Sequence, residues 1–340
     1  MDFRILIIGL GSMGKRRIRN LIALGCKEIS GFDTNDVRRR EVANKYGIQT
    51  FGSFEEAISD FRANVLIISV PPAVHGQYMK YAADRNIPSF IEAGVVDDGL
   101  DEIIEIAKRN GTLLAPSATL YFHPAIRKVR EIVENKTLGR ISNILYHSGQ
   151  YLPDWHPYEN VADFYVSAKR TGGAREITPF ELTWMTKVFG FPRNVAGMYR
   201  KTIDIPGAES IDDTYNVLLE FGQFLATITV DVVSRAATRR LTINGDRKQL
   251  QWDWDDDIIR IYDPEAGKWE VYPYELNAAE SGYNKNITEQ MYIDEMDCFL
   301  KAVAGESDFV NSMEEDHRVL KLLYAIEQSS NQSQFVSFPA

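Results

Sequence analysis

Short apolar runs alternate with amphipathic stretches through the first 120 residues of the chain. The apolar runs are bounded by Gly, Pro or Asp and lie at Ile5–Gly9, Ile29–Asp33, Val65–Val70, Ser89–Glu92 and Leu113–Pro116. Helical patterns lie between them at Arg16–Leu24, Asp36–Tyr46, Phe54–Phe61, Val74–Arg85 and Leu100–Asn110. Buried strands that alternate with helices are typical of a parallel sheet built from βαβ units. The pattern therefore predicts an α/β domain over residues 1–121.

The pattern changes after Pro124, where strands with alternating polarity become dominant. From Asn194 to about Tyr274 the alternation has period two, which predicts antiparallel strands. The aromatic and proline-rich stretch Gln150–Thr171 lacks periodicity and is predicted as loop, whereas Glu176–Phe189 is predicted as a helix. Two further helical stretches close the chain. Residues 122–340 are therefore predicted as an α+β domain with a large open, mostly antiparallel sheet.

Composition and charge exclude several classes of protein. The 340 residues include 38 Lys and Arg against 48 Asp and Glu, which gives a formal net charge of −10. This acidic balance argues against nucleic acid or an anionic membrane surface as a partner. Cys26 and Cys298 are the only cysteines and form no Cys/His cluster, so neither a metal site nor a disulfide framework is expected. Without a membrane-spanning run or a signal-peptide pattern, a cytoplasmic protein is expected.

The segment Gly9-Leu10-Gly11-Ser12-Met13-Gly14 has the form GxGxxG and stands between a predicted strand and a predicted helix. In this context the glycines permit a tight turn, close approach to a pyrophosphate and helix–strand packing. Asp33 ends the second predicted strand, 19 residues after Gly14. A carboxylate at this position can accept hydrogen bonds from the diol of the adenosine ribose. The segment thus predicts NAD as cofactor. NADP stays open, because Arg38 begins a run of three arginines near Asp33.

Further motifs resemble the glucose–fructose oxidoreductase / inositol dehydrogenase / MocA family. They are Ser69–His75 with its Pro71-Pro72 pair, Glu92-Ala93-Gly94 in place of the family's Glu-Lys-Pro, Tyr121–Arg127, and Gly172–Glu176 continuing to Trp184. The resemblance covers nearly the whole chain. It implies a Rossmann domain followed by an α+β domain whose sheet carries the substrate site on one face and makes a dimer or tetramer contact on the other. Trp252 and Trp254 share a face of this sheet and suggest a subunit contact.

The resemblance also implies which residues hold the cofactor. They are Gly9, Gly11, Ser12, Met13, Gly14, Asp33, Arg38, Ser69, Pro71, Pro72, His75, Glu92 and Ala93. The substrate implied is a sugar or polyol, and the stretch Gly149–Pro157 resembles dehydrogenases of surface-polysaccharide pathways. Whether this sugar is unmodified, nucleotide-linked or acidic stays open.

The chain departs from the family at both of its usual proton-transfer positions. Ala93 stands at the family's lysine and Phe180 at its histidine, and neither side chain can transfer a proton. The candidates to replace them are Glu176, His156, Lys169 and Tyr165. Glu181, one residue from the missing histidine, is equally well interpreted as a structural carboxylate.

The predicted substrate contacts combine charge with aromatic surface. Arg175 and Arg170 would hold an alkoxide, a carboxylate or a phosphate. Trp155, Tyr151 and Phe122 would cover the apolar face of a sugar. The sequence therefore predicts an NAD(P)-dependent sugar oxidoreductase with a non-standard proton-transfer residue. Two alternatives stay open: a nucleotide-binding sensor or partner subunit without dehydrogenase activity, and a redox-neutral epimerase or lyase with bound NAD.

Overall fold

The structure, a computed structural model, describes residues 3–155, 160–276 and 288–339. The chain forms two compact units, one of Met1–Thr119 with Gln290–His317 and the other of Leu120–Glu289 with Arg318–Ala340. Residues 290–317 therefore belong to the first unit, whereas the sequence pattern assigned everything after residue 121 to the second domain. The reason is apolar burial, because Met296, Phe299 and Leu300 complete the core of the first unit.

The first unit contains a parallel sheet with helices in alternation. Its strands are β1 (Arg4–Ile8), β2 (Glu28–Phe32), β3 (Gln49–Phe51), β4 (Val65–Ile68), β5 (Ser89–Ile91) and β6 (Leu114–Pro116). Its first helices are α1 (Ser12–Ala23), α2 (Asp36–Tyr46), α3 (Phe54–Phe61), α4 (His75–Arg85) and α5 (Leu100–Asn110). The described strands pair in parallel in the order β3-β2-β1-β4-β5-β6. From β1 the chain adds strands outward to β3 on one side, and from β4 it adds them outward to β6 on the other side. The strand order therefore switches between β1 and β4, and open α/β sheets bind their ligands at such a switch point.

The second unit is built on a mixed sheet. Its strands are β7 (Ile141–Gly149), β8 (Asn194–Arg200), β9 (Thr214–Glu220), β10 (Leu225–Asp231), β11 (Thr238–Gly245), β12 (Gln249–Asp253), β13 (Ile258–Asp263), β14 (Lys268–Pro273) and β15 (Val336–Ser337). The order is β14-β13-β12-β11-β7-β10-β9-β8-β15, and among these described strands β7 and β10 pair in parallel while the other neighbours pair antiparallel. The remaining helices are α6 (Pro124–Glu134), α7 (Ala174–Phe189), α8 (Glu289–Val303) and α9 (Met313–Gln332). The predicted fold classes of both domains are confirmed.

The two faces of the second sheet differ in burial. Helix α7 packs against β9 and β10, and side chains such as Tyr146, Val217 and Ile228 are buried on that face. The opposite face presents Leu145 and Leu218 at 50% exposure each. Alternate strand residues point to opposite faces, so this difference follows from the period-two pattern of the sequence.

The predicted subunit contact at Trp252 and Trp254 is wrong. Both side chains are buried within the unit, and Trp254 lies in a short 3-10 turn rather than on a strand. The indole of Trp252 donates to the Tyr274 hydroxyl at 2.8 Å, and that of Trp254 donates to the Ala237 carbonyl at 3.2 Å. A buried indole usually finds such a partner. In the described part of the chain, no helix is long and apolar enough to cross a membrane.

Candidate functional site

The glycine loop after β1 has the geometry that its motif predicts. Gly9 has φ +93°, and a Cβ there would lie 2.5 Å from the Ser69 carbonyl oxygen. A Cβ on Gly14 would lie 1.9 Å from the Gly9 oxygen, which fixes the close packing of α1 on the turn. Any larger residue at either position would collide with backbone, so both glycines are required sterically.

The middle of the same loop is open, in contrast to its two ends. A Cβ on Gly11 would have the Arg38 guanidinium at 3.9 Å as its nearest neighbour. Ser12 and Met13 begin α1 directly after it, where the first backbone N–H groups of a helix have no intrahelical acceptor. This combination of N-terminal backbone N–H groups, positive helix dipole and open backbone suits a pyrophosphate.

Asp33 lies at the carboxyl end of β2 and is held in a defined orientation. Its Oδ2 accepts from the Leu10 N–H at 2.8 Å, and its Oδ1 accepts from the Asn35 N–H at 2.8 Å. The Arg38 guanidinium lies 3.8 Å from Oδ2 and is about half exposed. The carboxylate favours the ribose diol of NAD, whereas the half-exposed arginine would favour the 2′-phosphate of NADP.

The segment after β4 orders the edge of this crevice. The Ser69 N–H donates to Ile8, and Pro71 precedes a short 3-10 turn that begins at Pro72. His75 begins α4 and donates from Nε2 to the Val70 carbonyl at 2.7 Å. Burial lowers the pKa of His75, so the imidazole is neutral near pH 7. The hydrogen bond of His75 therefore anchors the backbone at Val70.

Glu92 directly follows β5, and its backbone N–H donates to Ile68 on β4. Its carboxylate forms a two-point ion pair with Arg17, at 2.6 Å from Nε and 2.9 Å from Nη2. Ala93, next in the chain, brings no charged group to this edge. Sequence reasoning missed Arg17, although one signal was present: it lies on the buried side of α1 with Leu21, four residues later.

Tyr165 and Glu176 meet in the second unit. The Tyr165 hydroxyl donates to Glu176 Oε1 at 2.5 Å. The other carboxylate oxygen, Oε2, is buried and has no hydrogen-bond partner among the described residues. Burial raises the pKa of Glu176 to about 7, and the Tyr165 hydrogen bond opposes this rise. A carboxyl group with such a pKa can accept and release a proton near neutral pH.

The backbone around this pair is tightly constrained. A Cβ on Gly172 would lie 1.7 Å from the Val166 carbonyl oxygen, and Gly173 has φ +66°. The Gly173 N–H donates to Val166, and the Thr171 hydroxyl donates to the Tyr165 carbonyl at 2.9 Å. The glycines therefore let the loop close on itself at the start of α7. This closure holds Tyr165 against the first turn of that helix.

Two of the cations near this pair lie beside carboxylates. Lys169 lies 3.6 Å from Asp212 and is 67% exposed. The Arg175 guanidinium binds Glu327 at 2.7 Å and donates to the Arg170 carbonyl at 2.6 Å. Tyr165 and Lys169 thus have different carboxylate partners, and Arg175 ties the loop to α9.

The predicted aromatic contacts have separate surroundings. Phe122 is buried, with the guanidinium of Arg127 5.7 Å from its ring, and acts as core. Tyr151 is partly buried under Arg235, whose guanidinium lies 3.8 Å from the ring centre. Trp155 is partly buried, and its Nε1 has no hydrogen-bond partner in the described residues. His156 lies outside the described residues.

Glu181 is a structural carboxylate. It is fully buried on α7 and accepts from the Tyr146 hydroxyl at 2.6 Å and the Ser148 hydroxyl at 2.8 Å. It also accepts from the Trp184 indole and forms a buried ion pair with Arg239 at 2.8 Å. With its oxygens saturated by the unit's own donors, Glu181 offers no position for a substrate proton.

Two family models match this chain over most of its length. The model described as "Oxidoreductase family, NAD-binding Rossmann fold" matches residues 3–117, and that described as "GFO/IDH/MocA C-terminal domain" matches residues 126–251. The chain belongs to the GFO/IDH/MocA oxidoreductase family. Nicotinamide dinucleotide is therefore the cofactor class, and the resemblance in the motifs is confirmed.

Curated relatives of this GFO/IDH/MocA protein are distant. An uncharacterized oxidoreductase, YrbE, of Bacillus subtilis is 28% identical over 137 residues, which cover 39% of this chain and 40% of the relative. D-xylose 1-dehydrogenase (NADP(+)) 2 of Haloferax volcanii is 24% identical over 152 residues, covering 44% and 46%. The chain thus spans less than half the length of each of these relatives.

Solved structures share the fold over the full chain. An oxidoreductase from Agrobacterium radiobacter, in complex with NAD⁺, L-tartaric acid and magnesium, has a TM-score of 0.86 at 12% identity and covers 99% of both chains. Levoglucosan dehydrogenase with NADH and levoglucosan has a TM-score of 0.86 at 15% identity and covers 100% of both. At these identities the likeness establishes the fold alone.

Proposed function

We propose that this protein is an NAD(P)-dependent sugar dehydrogenase in which Glu176 replaces the family's usual proton-transfer residue. The observation that carries the proposal is the buried Glu176 carboxyl, with a pKa of about 7, one oxygen held by Tyr165 and the other without a described partner. A second buried glutamate on the same helix, Glu181, is saturated by structural donors and so does not compete for this role.

The glycine loop fits a dinucleotide, because its middle is open while its ends are closed against backbone. Gly11, Ser12 and Met13 would hold the pyrophosphate, and Asp33 would hold the adenosine ribose. We favour NAD because the Asp33 carboxylate is fixed by two backbone N–H groups, whereas Arg38 is half exposed. When bound, the nicotinamide ring supplies the hydride acceptor for oxidation.

The chain's own contribution is the movement of a proton. In oxidation, the carbinol carbon gives up a hydride and the O–H bond of its hydroxyl group breaks. The proton passes to the ionised Glu176 at Oε2, and a carbonyl forms. Tyr165 keeps Oε1 occupied, so that Oε2 is the oxygen offered. Reduction reverses each of these steps with Glu176 protonated at the start.

An uncharged sugar suits the second unit better than an acidic or nucleotide-linked one. Arg175 and Lys169, two of the three cations that shortly precede Glu176 in sequence, are paired with Glu327 and Asp212. An anionic substrate that bound Arg175 or Lys169 would have to displace one of these carboxylates. The face of the Tyr151 ring away from Arg235 would offer the apolar contact that a neutral sugar ring uses.

The test is the near-ultraviolet absorbance of reduced nicotinamide with purified protein, NAD or NADP, and matched panels of neutral, acidic and nucleotide-linked sugars. We expect NADH to form with a neutral sugar, and faster than NADPH. Nucleotide binding without any reduction would contradict the dehydrogenase proposal. Product analysis by mass spectrometry would then distinguish an epimerase or lyase from a sensor.

Free cysteines fit the cytoplasmic location expected from the sequence. Cys26 and Cys298 are both unpaired and partly buried. Thiols persist in this form in a reducing compartment. We therefore place the enzyme in the cytoplasm.

We also propose that the open face of the second sheet joins copies of this chain into a dimer or tetramer. Leu145, Leu218 and Leu225 share this face, because the first two lie on strands next to β10 and are in register with its Thr227. They are 50–60% exposed, and Met198 and Val271 extend the same face at 59% and 53%. Exposed apolar side chains that share one face of a sheet suit an association site.

Leu218→Asp should convert the oligomer to monomers, because it places a charge among these exposed apolar side chains. The measurement is molar mass by light scattering after size-exclusion chromatography. Val37→Asp is the matched control, since Val37 is 67% exposed on α2 of the first unit. A monomeric wild type, or an oligomer that survives Leu218→Asp, would contradict this assignment.

A further inference from the structure

Arg17 occupies an unusual place for a charged side chain. It is fully buried on α1 and contacts two carboxylates, Glu92 after β5 and Glu295 on α8. Its Nε and Nη2 bind the two oxygens of Glu92, and its Nη1 lies 2.9 Å from Glu295 Oε2. The guanidinium also lies 4.5 Å from the ring centre of Phe90. The three charged residues form one cluster inside the first unit.

The two carboxylates of this cluster differ in their burial and in their hydrogen-bond partners. Glu295 is fully buried, and its oxygens accept from the Ser117 hydroxyl at 3.0 Å, the Ala118 N–H at 2.7 Å and the Thr119 hydroxyl at 2.8 Å. Glu92 accepts from the Ser69 hydroxyl at 3.3 Å, and its side chain is 11% exposed. Glu92 is therefore the member of the cluster that reaches the surface.

Stability alone does not explain such a cluster. Desolvating a guanidinium and two carboxylates costs several kcal/mol per ion, and apolar residues of similar volume often stabilise a core equally well. A planar guanidinium does fix the orientation of a carboxylate, through two parallel hydrogen bonds. Here the fixed carboxylate is at the carboxyl end of a parallel strand beside β4, at the edge where such sheets bind ligands.

We propose that Arg17 is a positioning residue for the nicotinamide half of the cofactor. Its two-point contact orients Glu92, whose carboxylate accepts a hydrogen bond from the carboxamide N–H₂ and so sets the orientation of the ring. Glu295 holds Arg17 from the opposite side. This inference rests on the proposed cofactor site, and it assigns no role to Arg17 in proton transfer.

The decisive comparison is between NADH and ADP-ribose, which lacks the nicotinamide. Arg17→Lys keeps the positive charge and removes the two-point contact. We expect it to raise the Kd for NADH about 10-fold while the Kd for ADP-ribose stays within about 2-fold. Arg16→Lys on the same helix is the matched control, because Arg16 is also buried and stacks on Tyr292 at 4.1 Å. It should leave the ratio of the two Kd values unchanged.

A double-mutant cycle tests whether Arg17 acts through Glu92. If it does, Arg17→Lys should add nothing to the loss of NADH affinity caused by Glu92→Gln. Equal weakening of NADH and ADP-ribose by Arg17→Lys would overturn the positioning role and indicate a general structural defect. Unchanged NADH binding would overturn it as well. If the wild type fails to bind ADP-ribose, the proposed cofactor site itself is wrong.

Discussion

Glu176→Gln should lower kcat for sugar oxidation by about 100-fold or more, because glutamine keeps the shape of the side chain and cannot accept the hydroxyl proton. The KM for NAD should stay close to that of the wild type, since Glu176 lies in the second unit and the glycine loop in the first. The thermal stability should also hold, because the substitution removes a carboxyl group that burial already disfavours in its ionised form. Steady-state kinetics measure kcat and KM, and thermal unfolding of the same preparation measures the stability.

The pH dependence gives this prediction a second readout. With a Glu176 pKa raised to about 7, the ionised form that oxidation requires accumulates as the pH rises through 7. The rate of oxidation should therefore rise across this range, and the rate of reduction should fall. Glu176→Gln should remove this titration from both profiles. A variant that keeps the wild-type rate and profile would exclude Glu176 as the acid and base.

Tyr165→Phe is the matched variant for the neighbouring group. The Tyr165 hydrogen bond lowers the Glu176 pKa, so its loss should move the midpoint of the oxidation profile to higher pH. The decrease in kcat at high pH should be smaller than for Glu176→Gln, because the carboxylate itself remains. A complete loss of activity at all pH values would instead identify Tyr165 as the proton-transfer group.

Local sequence patterns were sufficient for the parts of the fold that local interactions determine. The alternation of apolar runs predicted five of the six parallel strands, and the spacing of Gly9 and Gly14 predicted a turn whose sterics exclude a side chain. The three-residue strand β3 (Gln49–Phe51) was missed because it is too short to show a period. Tyr165 and Glu176 were both predicted as candidates, and they lie only eleven residues apart.

Long-range pairing of charges could not be predicted. Arg175 was predicted to bind substrate, and its partner Glu327 lies 152 residues away on α9. Glu295 reaches Ser117 across 178 residues, because α8 returns to the core of the first unit. No pattern within a single helix indicates such a partner. A buried charge on an apolar helix face, as at Arg17, is the signal that sequence reasoning can use in other members of this fold.

Glu176 and Glu181 are identical side chains on one helix to which we assign different roles. Both are removed from water, which raises the cost of ionisation for a carboxyl group. Glu181 meets four donor side chains, including Arg239, and these occupy both of its oxygens. Glu176 has Tyr165 as its one hydrogen-bond donor among the described residues, and burial raises its pKa into the range useful for proton transfer. The number of hydrogen-bond donors around each carboxyl is therefore our basis for assigning a structural role to Glu181 and proton transfer to Glu176.

Glu181→Ala should accordingly destabilise the second unit by about 3–5 kcal/mol, because it leaves the buried guanidinium of Arg239 without its carboxylate. The Tyr146 and Ser148 hydroxyls would lose their acceptor at the same time. All five tryptophans lie within Leu120–Glu289, so tryptophan fluorescence during urea unfolding reports on this unit specifically. Glu209→Gln is the control for loss of a carboxylate, since Glu209 is exposed and should change the midpoint little. An unchanged urea midpoint for Glu181→Ala together with a large loss of kcat would reverse the assignment, making Glu181 the proton-transfer group and Glu176 a structural one.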